Sequence, residues 1–456
     1  MMRLGILIVA TLSLMNASCP PGDPGSGPAP YDCDAPPAQT GLIKVKVKAP
    51  SGKYIVVLVP SHAKAFEALG GQAFTSAAAD IAGKVAGVKV HRTLSRIGAF
   101  VAIASETQAR LLAKDPSVQY VQEDGVKSIP PLKSTGALAE EPWGVKRIAK
   151  RNLPIDSSAV PRNRGKGVVL ASLDTGVDCG NAAFKDAAGQ SRCRDGKSAF
   201  GSSTDDDHGH GTHTTGTMAG NDPYGIASEA LVLPLKGLNS QGSGSDSGLV
   251  ELIDYAIDYA IKNNLQGRLI MNISLGGGPA PALDDAICRA VKAGILPSIA
   301  AGNDNLNACN YSPSRVKQAL TVGATTIDDR MTSFSNTGAE CIDLFAPGQD
   351  ILSVVPGGKE TMSGTSMAAP HAAGTAAVVA SEQPAPTVVS IMAAVLDTAT
   401  KDVLSGVIGP NLLVYDGPLS AAHASVWGPR LSTSHVERLR AAQIRLGQTR
   451  ARGRGL

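Results

Sequence analysis

The chain has 456 residues, a formal net charge of +3, 18% charged residues and only 4% aromatic ones. That length exceeds one ordinary domain, and the composition belongs to a folded globular protein rather than a disordered or bilayer-embedded one. The charge is uneven: seven arginines (Arg430, Arg438, Arg440, Arg445, Arg450, Arg452, Arg454) crowd the last forty residues against Glu437 alone. The remainder is slightly acidic and offers no nucleic-acid surface.

The start, MMRLGILIVATLSLMNASC, has one early positive charge at Arg3, an apolar run from Leu4 to Leu14 and then the small residues Ala17 and Ser18. The run is too short to cross a bilayer, so residues 1–18 read as an export signal peptide. Cys19 leaves two fates open: plain secretion, or lipid attachment as in bacterial lipoproteins, whose signal Ala17-Ser18-Cys19 resembles except at Asn16. No other apolar stretch is long enough to span without Gly or charge interrupting it, so the expected product is extracellular, without a transmembrane segment. Export also permits disulfides among the remaining cysteines, at 33, 179, 193, 288, 309 and 341.

Residues 19–52 open with a Pro- and Gly-rich stretch up to Thr40, which reads as an unpacked linker. Residues 53–127 then alternate period-two apolar runs with helical ones. Strands are expected over Lys53–Val59, Gly87–Leu94, Ile97–Ile103 and Val118–Val121, and helices over Ser61–Leu69 and Thr107–Lys114, the β-α-β-β-α-β order of a small ferredoxin-like α+β domain. A second linker, 128–141, follows.

From 142 to 416 buried-looking strands (Gly167–Leu173, Leu231–Leu235, Arg268–Ile273, Ile295–Ala300, Ala319–Val322) alternate with helices (Ser247–Lys262, Ala280–Ala293, Ser366–Ser381). This predicts an α/β domain with a mostly parallel sheet and helices on both faces. The Arg-rich segment 417–456 lies beyond it as a tail.

Three motifs in this domain carry chemistry. Leu173-Asp174-Thr175-Gly176 follows a strand, His210-Gly211-Thr212-His213 opens a helix, and Gly364-Thr365-Ser366-Met367-Ala368-Ala369-Pro370-His371 opens another. A serine hydroxyl is a weak nucleophile at neutral pH; it needs an imidazole to take its proton and a carboxylate to fix that imidazole's tautomer. A fourth motif, Ala300-Ala301-Gly302-Asn303, ends a strand with an amide able to face a developing oxyanion beside the Ser366 N–H. The neighbouring Asp205, Asp206 and Asp207 read as a solvated run, and His213 and His371 as structural.

The four motifs together resemble those of the subtilisin-like serine peptidases, nearest the proteinase K-like branch, over about Trp143 to Asp416. The resemblance implies a serine endopeptidase with Asp174, His210 and Ser366 as triad and Asn303 in the oxyanion hole, acting on polypeptide substrates as a monomer. It implies that an extended peptide lies between Gly242-Ser243-Gly244 and Ser274-Leu275-Gly276-Gly277, where glycines let the two backbones approach. It makes residues 53–127 an inhibitor-type propeptide, with Asp115–Asp124 as its closing segment in the cleft and self-cleavage between Lys133 and Glu141. No cofactor is implied for catalysis. A structural Ca2+ is implied at the Pro313 and Arg315 carbonyls and the Asp329 carboxylate, as is a Cys309–Cys341 disulfide. Cys179 with Cys193 is expected as a local second pair, and Cys288 as a buried free thiol.

An α/β-hydrolase esterase fails on motif and chain order, since Ser366 sits in Gly-Thr-Ser-Met-Ala and comes last. A peptide ligase or cyclase, or a non-catalytic binding module on the same fold, remain the alternatives.

Overall fold

The structure, a computed structural model, describes residues 29–36, 38–50, 52–62, 71–129, 141–156 and 164–417. The signal segment, Cys19, the expected cleavage region up to residue 140 and the tail beyond Gly417 lie outside the described residues.

Nine strands form the main sheet, in the order Thr400–Lys401, Leu412–Leu413, Leu344–Pro347, Leu320–Thr325, Ile295–Ala300, Leu269–Ile273, Val169–Asp174, Leu231–Lys236, Lys197–Ser198. All neighbours run parallel except the first pair, at one edge. The five central strands are buried at almost every position, which is why they read as continuous apolar runs. One face packs the helices His210–Ala219, Thr365–Glu382 and Val388–Thr398; the other packs Asp246–Lys262 and Pro281–Lys292.

The N-terminal unit has a five-stranded sheet, ordered Gly41–Ile43, Val118–Glu123, Lys53–Leu58, Ala99–Ile103, Lys89–Leu94. Its last four strands pair antiparallel, and Gly41–Ile43 adds in parallel at the edge. Strand Lys53–Leu58 shows why this sheet also reads as a continuous apolar run. Tyr54, Val56 and Leu58 face the unit's own core with Phe74, Ile81 and Leu112, while Ile55 and Val57 face Leu249, Ile253 and Leu283 of the larger unit. The sheet is thus buried on both sides, one side by its neighbour.

Three expectations change here. The helix placed at Ser61–Leu69 falls mostly outside the described residues; the described helix is Gly71–Gly83, whose Phe74, Ala77, Ala78 and Ile81 recur at helical spacing but whose Ala and Gly content mutes the pattern. The supposed linker 19–52 contains the strand Gly41–Ile43, and within it Tyr31 and Cys33, each 2% exposed, are packed against the larger unit. Cys288 is not a free thiol: it is disulfide-bonded to Cys33, 255 residues away. Cys179–Cys193 and Cys309–Cys341 pair as expected.

Candidate active site

The carboxyl ends of adjacent parallel strands converge on one spot, where an open α/β sheet places its chemistry. Asp174 is the last residue of its strand; Ser274 directly follows Leu269–Ile273, and Asn303 lies three residues beyond Ile295–Ala300. His210 begins one helix and Ser366 is the second residue of another.

Asp174 Oδ1 lies 2.7 Å from His210 Nδ1, both side chains fully buried. A carboxylate can only accept, so Nδ1 carries the proton and Nε2 is the basic nitrogen. The Thr175 N–H also donates to Asp174 Oδ1 at 2.7 Å, and the Thr214 hydroxyl to Oδ2 at 3.2 Å, which holds the carboxylate in place. His210 Nε2 is buried and makes no hydrogen bond among the described residues. The Ser366 hydroxyl donates instead to the Ser274 carbonyl, at 3.1 Å. The Asp174–His210 hydrogen bond is thus present, whereas no hydrogen bond joins Ser366 to His210 in this structure.

The helix under Ser366 is built for close approach. Pro370 lies inside it and lacks the N–H that would bond the Ser366 carbonyl four residues earlier. The Ser274 hydroxyl donates to that freed carbonyl at 2.8 Å, tying the Ser366 backbone to the segment that follows Leu269–Ile273. As the second helical residue, Ser366 has an N–H without an intrahelical acceptor.

Asn303 supplies the second donor. Its Oδ1 accepts from the Thr365 N–H at 2.9 Å and the Thr365 hydroxyl at 2.8 Å, so the amide orientation is fixed and Nδ2 is the atom left without a partner. A Cβ on Gly364 would lie 3.0 Å from Asn303 Nδ2 and 3.6 Å from the Ser366 N, so the two donors face a shared hollow beside Gly364. Two donors turned to one hollow can take up a negatively charged oxygen.

Sequence reasoning missed the residues that hold these groups. Asp206, taken as part of a solvated acidic run, is buried and accepts five hydrogen bonds, from Thr175 Oγ1, His208 N, Gly209 N, Thr212 N and Thr212 Oγ1. Burial alone would raise its carboxyl, but the donations from Thr212, Gly209 and Thr175 hold it below the usual carboxylate range. It caps the His210 helix, and an acid placed just before a helix start was the signal available. Gly211 is needed beside it, because a Cβ there would come within 2.1 Å of the Gly176 carbonyl. Asn336 is the other omission: its Nδ2 donates to the Ala301 carbonyl and its Oδ1 accepts from Asp304 and Leu306, setting the turn that carries Asn303. His213 and His371 are buried, their pKa values driven down to about 3 and about 4 chiefly by desolvation. Their bonds run to backbone carbonyls of Ile351, Glu360 and Met367, which makes them neutral structural groups.

The proposed substrate strands hold part of the chain itself. Val126–Ser128 pairs antiparallel with Ser243–Ser245, and Ser128 forms an antiparallel bridge with Gly276 on its other side. Ile129 N–H donates to the Gly242 carbonyl at 2.9 Å. Gly242, Ser243, Gly244 and Gly276 thus line the bound strand, Gly277 packs on the Lys127 stem, Ser274 joins it to Ser366, and Leu275 turns into the core. The segment in the cleft is Val126–Ile129 rather than Asp115–Asp124, because Val118–Glu123 is already a central strand of the N-terminal sheet.

The calcium set does not assemble. Asp329 gives one oxygen to Nε and the other to Nη2 of buried Arg147, each at 2.7 Å, while the Arg315 and Pro313 carbonyls accept from the Tyr31 and Val316 N–H groups. Both Asp329 oxygens are taken by the Arg147 guanidinium, which puts a positive charge against the carboxylate a calcium ion would need, so the trio does not fit one. Among the described residues no group of three or more His, Cys, Asp or Glu is gathered as a metal site.

Fold and site together define a serine-type endopeptidase class: an α/β sheet whose strand ends carry a buried Asp–His pair, a serine at a helix start and a peptide-binding edge on either side. The subtilase family profile (peptidase S8) matches residues 165–416. Alkaline serine exoprotease A of Vibrio alginolyticus is 36% identical over 374 residues, covering 80% of this chain and 67% of that protein. Subtilisin-like protease 4 of Trichophyton equinum is 41% identical over 264 residues, covering 58% of this chain and 65% of that protein. The chain spans about two-thirds of the length of these relatives. The crystal structure of a cold adapted subtilisin-like serine proteinase matches at a TM-score of 0.57 and 38% identity, over 62% of this chain and 100% of that one. The chain belongs to the subtilase family.

Proposed function

We propose that this chain is an extracellular serine endopeptidase, made as a zymogen that cuts itself, with Ser366 as nucleophile, His210 as base, Asp174 as the group orienting that base and Asn303 as an oxyanion donor. The observation that carries the reading is that residues 126–129 are held as a strand between two edges that lead to Ser366, the posture of a bound polypeptide. Three disulfides and the apolar N-terminal segment support export. No described helix is long and apolar enough to cross a membrane.

Each group has one task. The Ser366 hydroxyl turns from the Ser274 carbonyl to His210 Nε2, gives up its proton there and attacks the peptide carbonyl carbon. The oxygen that becomes negative enters the hollow between Asn303 Nδ2 and the Ser366 N–H. Asp174 stabilises the imidazolium, which passes its proton to the departing amine as the C–N bond breaks. Water then hydrolyses the acyl-serine with His210 again as base.

Residues 53–129 act as intramolecular inhibitor until the linker is cut between Lys133 and Glu141. The test compares wild type with Ser366→Ala, following precursor mass and casein hydrolysis. Wild type is expected to trim itself and digest casein while the alanine variant does neither. An alanine variant that still did both would overturn the assignment, and joined rather than hydrolysed products would indicate a ligase.

A further inference from the structure

The segment held in the cleft makes one contact that backbone pairing does not require. Lys127, opposite Gly244, runs its stem past Gly277, whose added Cβ would meet Lys127 Cδ at 2.9 Å. Its Nζ donates to Asp246 Oδ1 at 2.6 Å, with the two side chains 3% and 0% exposed. Asp246 Oδ2 accepts from Gln122 Nε2 at 3.2 Å. Both donors belong to the N-terminal unit. Once that unit leaves, both donors go with it, and among the described residues no other cation is paired with the Asp246 carboxylate beside the strand Ser243–Ser245.

We infer that Asp246 is a specificity-determining residue that selects substrates carrying Lys or Arg where Lys127 now lies. The antiparallel register fixes that place. Ser128 faces Gly276, and a substrate continuing past it reaches Ser274, against which Ser366 rests, two residues later. The selected residue is therefore the fourth before the scissile bond. A cation is favoured because a bound substrate again shuts the Asp246 carboxylate from water, where a charge left unpaired is costly, and because a long unbranched stem fits between Gly244 and Gly277. Serving only as a first-turn acid of the helix Asp246–Lys262 would give Asp246 no such preference.

The inference rests on the proteolytic reading, and the test separates the two. Mature enzyme is given internally quenched peptides identical except for Lys, Leu or Glu at the fourth residue before the bond, with the cut located by mass. The expected order of kcat/KM is Lys, then Leu, then Glu, with Lys over Leu by at least about tenfold, and that ratio falls toward one in Asp246→Asn. Equal rates for Lys and Leu, or a preference that survives in Asp246→Asn, would overturn it. The wild-type series decides alone if the variant does not fold. A peptide set left uncut would count against Ser366 as nucleophile instead.

A different observation carries a second inference. Residues 29–36 form a strap on the larger unit. Tyr31 N–H donates to the Arg315 carbonyl at 2.7 Å, Lys317 N–H to the Tyr31 carbonyl at 2.9 Å, and Cys33 N–H to Gln318 Oε1 at 2.9 Å. The Tyr31 and Tyr120 hydroxyls both donate to Asp285, and the Cys33–Cys288 disulfide locks the strap. We propose that a cut in the linker 130–140 does not free the N-terminal unit, which stays covalently attached through this bond and so rebinds at high effective concentration. Its departure then needs digestion of the unit itself or a dithiol, which gives two electrons and two protons to the S–S bond, leaving two cysteine thiols and an oxidised dithiol. The test does not depend on self-cleavage. Ser366→Ala precursor is nicked by added trypsin, the nick is placed within 130–140 by mass, and the product is run with and without reductant. One species without reductant and two with it are expected, whereas Cys33→Ser should give two in both lanes. Two species without reductant from the protein retaining Cys33 would overturn the tether.

Discussion

The two units of this molecule close their cores differently. The nine-stranded sheet has helices of its own on both faces, so residues 164–417 bury it from within. The five-stranded sheet has its own helices on one face only, and the other is sealed by Asp246–Lys262 and Pro281–Lys292 of its neighbour. Folding of the N-terminal unit is therefore coupled to its docking on the larger one. The contrast predicts that damage in the larger unit appears in chemistry or in its own stability. Damage on the N-terminal unit's side of the shared face should appear in the precursor and vanish in the mature enzyme.

The largest effect is expected at the oxyanion hollow. Asn303→Asp keeps the acceptor that bonds Thr365 and removes the Nδ2 donor, so kcat should fall by about 10^2 to 10^3 with little change in KM. Steady-state kinetics on the mature enzyme checks this, and a loss confined to KM would place Asn303 in ground-state binding. Next comes Asp206→Ala, which strips five donors of their acceptor beside His210 and should destabilise the larger unit by about 2–4 kcal/mol in urea unfolding. Ile55→Ala works on the other unit: it leaves a cavity at the shared face and should destabilise the precursor by about 2–4 kcal/mol. Mature enzyme prepared from it should keep its wild-type kcat. A changed kcat there would break the division drawn above.

That division also explains what could be read in advance. Asp174, His210, Asn303 and Ser366 were legible because each sits at a strand end or helix start inside a local motif, and the parallel sheet brings such ends together whatever lies between them. The groups that support them were not. Asp206 looked like part of an acidic run until the Thr212 and Gly209 donors surrounded it, and Asp246 is an ordinary first-turn acid without Lys127. The strap was hidden most thoroughly: Pro and Gly composition argues for an unpacked chain, and nothing local to Tyr31 or Cys33 indicates partners some 255 residues on. Non-local pairing between units leaves no periodicity to read.

The smallest predicted effect concerns how acid acts on the shared face. Asp254 on the helix Asp246–Lys262 accepts the Arg96 and Ile97 N–H groups of the N-terminal unit at 2.8 and 3.0 Å. Burial raises its carboxyl to about 6, against those hydrogen bonds and the Arg96 charge, with Asp258 pushing the same way as burial. A folded-state pKa above the ordinary value means the folded precursor prefers the protonated acid. The resulting stabilisation is full below about pH 4 and is lost as pH rises through about 6. Asp254→Asn mimics the protonated form and keeps an acceptor oxygen for the two N–H groups. It should match wild type near pH 4 and exceed it at pH 8 by about 1–3 kcal/mol, an upper range because this site is only partly shielded from water. Urea unfolding of Ser366→Ala precursor with and without the second change, at pH 4.5, 6 and 8, gives the comparison. Parallel profiles would mean that Asp254 ionises in the precursor as it does in the unfolded chain.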